Sequence, residues 1–232
     1  GEKRYCLWLV DAEPSELKKL PNLLNRIEGV RQMRLTSSKQ ATVNWAAKPT
    51  LFTENRQPKT NYILVPSHSS ENRTYIPMGF MTKDDILNNS CLSIPNATLF
   101  HFGVITSLMH MTWVKSICGR LESRYRYSNE IVYTNYPWPE NPSEKQIKII
   151  EEKAQNVLDV RASFPNSSLA DLYNPLTMPP ALVKAHNELD KAVDAAYSKQ
   201  AFTSEAKRME FLFELYEKYT AGLFVKEKKS KK

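Results

Sequence analysis

Three observations predict an α+β fold in which a mixed N-terminal part is followed by an all-helical C-terminal segment. Short apolar runs at 62–65, 74–78 and 91–94 are separated by polar stretches and punctuated by Pro66, Pro77 and Pro95, the pattern of short, mostly antiparallel strands. Residues 98–117 place Leu99, Phe102, Ile105, Met109 and Trp113 in steps of three and four, which predicts a central helix ended by Gly119. Beyond Tyr136-Pro137-Trp138-Pro139 only helical periodicity remains, and no helix or central strand runs through that tetrad.

Taken in order, Tyr5-Cys6-Leu7-Trp8-Leu9 predicts a buried strand. Pro14 then opens a helix to about residue 27, with Gly29 past its end. Residues 31–60 have no clean period and are expected as a loop or extended arm anchored by Trp45, Leu51 and Phe52. The three strand candidates and the central helix follow. The proline tetrad, with Pro142 close by, sets an expected boundary between residues 1–140 and 141–232. Ser143-Glu144-Lys145-Gln146 is a capping box, and its helix uses Ile147, Ile150, Ala154, Val157 and Leu158 and stops before Pro165. Pro179-Pro180 starts a helix carrying Leu182, Leu189, Val193 and Ala196. A last helix from about Ser204 has Met209, Leu212, Phe213, Tyr216 and Tyr219 as its stripe, and the Lys-rich residues 226–232 are expected to be disordered.

With 232 residues, 41% of them hydrophobic and 25% charged, the chain can bury a core and is too apolar for wholesale disorder. It has no apolar run of membrane-spanning length and no secretory leader, so a cytoplasmic location is expected, with no membrane partner. Cys6, Cys91 and Cys118 are too scattered for a disulfide framework or a zinc site and are expected as packed thiols. The net charge of +7 is unevenly spread. Residues 31–126 hold twelve Lys/Arg against five Asp/Glu, whereas 127–221 hold ten against fourteen. A basic block beside an acidic one suggests a polyanionic partner, nucleic acid being the commonest, or simply a solvated basic surface.

The motifs that would make this chain a catalyst are absent. Neither Asn135-Tyr136-Pro137-Trp138 nor Asn174-Pro175-Leu176 has the Asn/Asp-Pro-Pro-aromatic order of an amino-methyltransferase, and six glycines make no phosphate-cradling loop. His68, His101, His110 and His186 show no metal-ligand spacing.

The most informative stretch runs from Gly119 to Ser128. If it is extended, Glu122 and Arg124 point to one face, Ser123 and Tyr125 to the other. A carboxylate beside a guanidinium can read one base pair in the major groove, Glu accepting from cytosine N4 and Arg forking to guanine O6 and N7; a good bidentate contact discriminates by about 1–3 kcal/mol. The same pair is equally at home as a surface ion pair of little energetic consequence. The loop Ser67-His68-Ser69-Ser70-Glu71-Asn72-Arg73 offers phosphate-positioning hydroxyls and a guanidinium through Ser69, Ser70 and Arg73, or else a self-capped turn. Lys115 either reaches a phosphate or suits the end of its helix dipole. Protein docking through the helical part is the competing reading, and Tyr125 and Tyr127 leave open stacking on single-stranded RNA.

The strings ILVPSHSSENRTYI (63–76), SLMHMTWVKSICGRLESRYRYSNEIVYTNYPWP (107–139), LADLYNPLTMPPALVKAHNELDKAVDAAY (169–197) and RMEFLFELYEKYTA (208–221) resemble the end of the MmeI-like enzymes, the single-chain type IIL restriction–modification proteins. The resemblance spans residues 5 to 221, and the tail after Thr220 departs from it. It implies a parent protein that methylates adenine N6 with S-adenosylmethionine, in which this chain is only the target-recognition domain and the helical C-terminal segment. No cofactor is then expected on these residues; duplex DNA and the methyltransferase domain of the same parent are the expected partners. It further implies that the pair just before Tyr-Arg-Tyr-Ser, here Glu122 and Arg124, varies with one recognised base pair, for which the chemistry suggests C·G. Arg126, Tyr127 and Ser128 would serve for backbone positioning or packing, and the Ser69-Ser70-Glu71-x-Arg73 loop, a further string matching the family, would contact DNA or brace the domain. Apart from the resemblance, Lys115 and Arg120 are expected at the DNA backbone. A stand-alone DNA specificity subunit is the nearest alternative.

Overall fold

A computed structural model of the chain describes residues 4–221 and has the α+β architecture, with two three-stranded antiparallel sheets set among helices. The chain forms two compact units, residues 2–56 and the residues from 57 onward.

The first unit is helical: α1 (Pro14–Leu17), α2 (Pro21–Leu35), α3 (Gln40–Asn44) and a 3₁₀ turn at Trp45–Ala47. The single helix expected over 14–27 is therefore two. Pro21 cannot donate back into a preceding turn, and its fixed φ opens a new helix instead. That helix passes through Gly29 and continues into the stretch expected as a loop. Residues 48–51 are organised by a buried cation: Arg34, 7% exposed, donates to the carbonyls of Trp45, Lys48 and Leu51 at 2.7–3.0 Å. The strand expected at 5–9 does not form. It gains no ladder partner, and Tyr5 is 92% exposed, while Trp8 stacks on Phe52 at 5.6 Å.

In the second unit β1 (Tyr62–Pro66) runs centrally between β3 (Gly79–Met81) and β4 (Cys91–Pro95), antiparallel to both, and β2 (His68–Ser69) leaves for the other sheet. The strand expected at 74–78 is not laddered, although Tyr75, Ile76 and Met78 are buried. Pro77 has no N–H to give, and pairing begins only at Gly79. The expected central helix is split into α4 (Leu99–Ile105) and α5 (Leu108–Ile117). Ser107 caps α5 by accepting from the His110 amide, and the carboxylate of Asp190 accepts from Leu108 N at 2.7 Å. The three- and four-residue steps survive the break in that Phe102, Ile105, Met109 and Trp113 are all buried, although α5 also buries every residue from Met109 to Val114.

The remaining helices are α6 (Glu144–Ala162), α7 (Leu169–Leu172), α8 (Pro180–Tyr197) and α9 (Glu205–Thr220). Ser143 and Gln146 form the capping box that starts α6. α4 crosses α6 closely at Gly103, where a Cβ would lie 2.7 Å from Ile150 Cγ2 and 3.3 Å from Ala154 Cβ, so glycine is required by proximity. One core thus spans both sides of residue 140, joining Phe102, Met109 and Trp113 to Ile150, Leu189 and Leu212.

A buried polar junction runs through this core. Arg161 donates to Met78 O at 2.7 Å and to the Tyr173 hydroxyl, which lies 2.7 Å from His186 Nε2. His186 stacks on Tyr75, whose hydroxyl donates to Asp190 at 2.7 Å. Burial drives His186 down to about 3 and Asp190 up to about 6. Among the described residues no helix is long and apolar enough to cross a membrane. All three cysteines are free; Cys118 is buried and Cys91 half-buried, but Cys6, expected to be packed, is exposed because the strand carrying it does not form. The tail at 226–232 lies outside the described residues.

Candidate nucleic-acid interface

The candidate site is built at the end of α5. The helix stops at Ile117, Cys118 turns extended, and the chain enters a hairpin of β5 (Gly119–Leu121) and β6 (Arg124–Arg126), with β2 on the far side of β6. The registers set the faces: His68, Arg126 and Gly119 lie in one cross-strand row, Ser69, Tyr125 and Arg120 in the next, then Arg124 and Leu121. Along β6 the period of two turns Arg124 and Arg126 to solvent and buries Tyr125.

The two-residue loop of the hairpin is Glu122-Ser123. Glu122 has a φ of 57°, the left-handed value usually given to glycine at the first position of such a loop. The expectation of a simple extended segment is thus corrected at its tip, yet Glu122 and Arg124 still meet. Arg124 Nη2 donates to Glu122 Oε2 at 2.5 Å, with the side chains 54% and 73% exposed. The result is a carboxylate and a guanidinium side by side on a projecting turn, each with free hydrogen-bonding capacity.

Around this pair the expected contact residues separate into two groups. The side chains of Arg126 and Arg73 have no hydrogen-bond or ion-pair partner among the described residues, and Arg126 is exposed beside His68. Ser70 and Ser128 are half-buried and cap local backbone: Ser70 Oγ accepts from Asn72 N, Ser128 Oγ from Ile131 N at the start of a π-helical turn over Asn129–Tyr133. The other group is turned inward or engaged. Tyr127 is 4% exposed with its hydroxyl 2.9 Å from His110 Nε2, so it packs and is not presented to solvent. Burial holds that tyrosine far above its usual range and brings His110 down to about 3, so both are neutral. Ser69 is 3% exposed, and its Oγ has no partner among the described residues. Lys115 is ion-paired with Glu205 on α9 at 2.6 Å. Arg120 donates to the carbonyls of Ser123 (3.1 Å) and Lys115 (3.3 Å) and lies over the Tyr125 ring at 4.2 Å.

The sequence offers Glu71 only as part of the Ser69-Ser70-Glu71-x-Arg73 string, with no role of its own. In the structure the Glu71 carboxylate is held below the usual carboxylate range by its own backbone N–H, by the Ser123 side chain and by the charges of Arg120 and Arg124. Only the Ser-rich loop preceding a basic hairpin hinted at this. Among the described residues no group of three or more His, Cys, Asp or Glu side chains is placed to hold a metal.

The family model for the MmeI target recognition domain matches residues 1–140, and that for the MmeI C-terminal domain matches residues 142–224. The chain is 42% identical over 221 residues to DNA methyltransferase A of Bacillus subtilis (strain 168), a match covering 95% of this chain and 25% of that relative. It is also similar to the solved structure of the type IIL restriction-modification enzyme MmeI in complex with DNA, with a TM-score of 0.87 and 47% identity over 93% of this chain and 29% of that one. The chain therefore spans about a quarter of the length of the curated relative it matches.

Proposed function

The chain belongs to the MmeI family, carrying its target recognition and C-terminal domains, and on that premise we propose that it recognises duplex DNA, with Glu122 and Arg124 reading one base pair through the major groove. The observation that carries this reading is the exposed Glu122–Arg124 pair on a projecting hairpin tip, 2.5 Å apart and next to Arg126, whose side chain has no partner among the described residues. Glu122 would accept from cytosine N4 and Arg124 would donate to guanine, which suits a C·G pair. Arg126 and Arg73, with the backbone around Ser70 and Ser128, would hold the register on the phosphates. The functional division runs between recognition by residues 1–140 and a helical brace from residues 141–232, the brace gripping α5 through Lys115–Glu205.

On this reading the parent polypeptide methylates adenine with S-adenosylmethionine in the bacterial cytoplasm, this chain supplying the site choice; similarity to a DNA methyltransferase over a quarter of that relative's length supports it. The residues present do not make the methyl-donor pocket: among the described residues no glycine has a positive φ and no Gly-rich turn follows a strand. No chemical step is placed on them. The test is selection from a randomised duplex pool by the wild-type chain and by the Glu122→Ala/Arg124→Ala double variant. One selected base position should relax or change while the others persist, and wild-type affinity should fall steeply with salt. An identical selected site for both proteins rejects the pair as the reader. Failure of the wild-type chain to select any duplex at low salt, or an affinity indifferent to salt, rejects DNA recognition in favour of protein docking.

A further inference from the structure

We infer that Arg120 is a positioning residue for the Glu122–Arg124 pair, locking the tip of the β5–β6 hairpin to the end of α5, with Glu71 as the second anchor of the same tip. The inference rests on the proposed base readout and identifies what gives that readout its geometry.

The need for a lock follows from the turn. Glu122 holds a left-handed φ of 57° that an L side chain rarely adopts, and such a conformation persists only where surrounding contacts over-determine it. A two-residue loop on a hairpin of three-residue strands has little pairing of its own to enforce it. Arg120 supplies three of the enforcing contacts. One terminal nitrogen of its guanidinium donates to Ser123 O inside the turn at 3.1 Å, and the other donates to Lys115 O at 3.3 Å, a carbonyl in the last turn of α5 without an onward helical partner. Its plane lies 4.2 Å from the centroid of the Tyr125 ring, which is buried. Only arginine can bridge two carbonyls with one planar fork while lying over a ring; the three donors of lysine sit on one nitrogen and present no flat face.

Glu71 secures the tip from the opposite side. Its carbonyl accepts from the Tyr125 hydroxyl at 3.4 Å, and its carboxylate interacts with the Ser123 side chain and with the charges of Arg120 and Arg124. Arg124 is thereby flanked by two carboxylates, Glu122 in contact and Glu71 further off, so its side chain is aimed before any DNA arrives. Pre-aiming of this kind acts on discrimination, because a wrong base must then be met by a pair that cannot relax around it. A residue that held a phosphate would act differently, weakening every sequence alike.

That contrast supplies the experiment. Binding of wild type, Arg120→Gln, Arg120→Lys and Glu71→Gln is measured on duplexes that differ only at the base pair controlled by Glu122 and Arg124, across a series of salt concentrations. The expected result for Arg120→Gln is a loss of about tenfold in discrimination at that base pair, with the slope of log affinity against log salt unchanged. Arg120→Lys should fail to restore the discrimination, and Glu71→Gln should lower it in the same direction by less. A uniform weakening on all duplexes with a salt slope smaller by about one would make Arg120 a phosphate contact and overturn the inference. Full discrimination in both Arg120→Gln and Glu71→Gln would overturn it as well. Should Arg120→Gln not fold, judged by thermal melting, Glu71→Gln decides the question alone, since its carboxylate is on the surface. A wild-type chain without discrimination at that base pair instead rejects the base readout itself, an outcome distinct from the other two.

Discussion

The hairpin tip and the buried junction around Asp190 use the same residue types to opposite ends. At the tip, Glu122 and Arg124 pair in solvent and keep free donors and acceptors. In the junction, Asp190 is wholly engaged by the Tyr75 hydroxyl and the Leu108 amide, and Arg161 by Met78 O and Tyr173. A solvated ion pair loses little when a ligand replaces one partner, so it is available for recognition. A buried polar group must be satisfied within the fold, so it has nothing left to offer and serves as a brace. α5 connects the two: Asp190 holds its first amide, and its last turn delivers the hairpin. Residue type alone therefore does not separate binder from brace; burial and the number of unused hydrogen-bonding groups do.

The comparison can be broken at its shared element. Trp113 is 1% exposed on α5, donates to Val132 O at 3.1 Å and packs against the rings of Phe213 and Tyr216. Trp113→Ala should cost about 3–5 kcal/mol of unfolding free energy in denaturant titration and degrade both regions together. A variant that unfolds as the wild type does would mean that α5 is not what ties them.

The junction can be probed by pH. Asp190 ionises at about 6 in the fold and in the ordinary range near 3.8 when unfolded, so between those values the folded state binds the extra proton. Its contribution to stability is present below about pH 4 and is lost as pH rises through 6. The wild type should thus gain about 2 kcal/mol relative to Asp190→Asn on going from pH 7 to pH 4. His110 and His186, with values near 3, act the other way by withholding protons from the fold as pH falls below 6.5, but they are common to both proteins and cancel in the difference. A pH-independent gap would show that the Asp190 carboxyl is not titrating in its buried site.

The smallest effect sharpens the other side. Glu122→Ala/Arg124→Ala should leave the melting midpoint within about 2 °C of wild type while altering site choice. A drop several times larger would make the pair part of the scaffold and erase the contrast.

Much of this was legible before the fold. Arg124-Tyr125-Arg126-Tyr127 alternates, and the structure places both arginines outside and both tyrosines inside. The capping box at Ser143 and the proline starts at Pro14 and Pro180 lie where local chemistry puts them. The misses share a cause. Residues 5–9 look like a strand, yet a strand exists only with a neighbour, and the break at Thr106–Ser107 hides within an unbroken apolar period. Glu71 carries no motif of its own; its role comes from a turn some fifty residues later in the chain.

Local sequence by itself determined which segments could be helix or turn, which side of β6 would be basic, and the family to which the chain belongs, because each depends on neighbours a few residues away. The tertiary structure alone decided that Lys115 and Arg120 are occupied within the protein, that Tyr127 packs on His110, and that the Arg126 side chain has no partner among the described residues. Those outcomes depend on partners brought together across tens of residues, and whether a charged or polar group is spent or available is settled only by what burial places beside it.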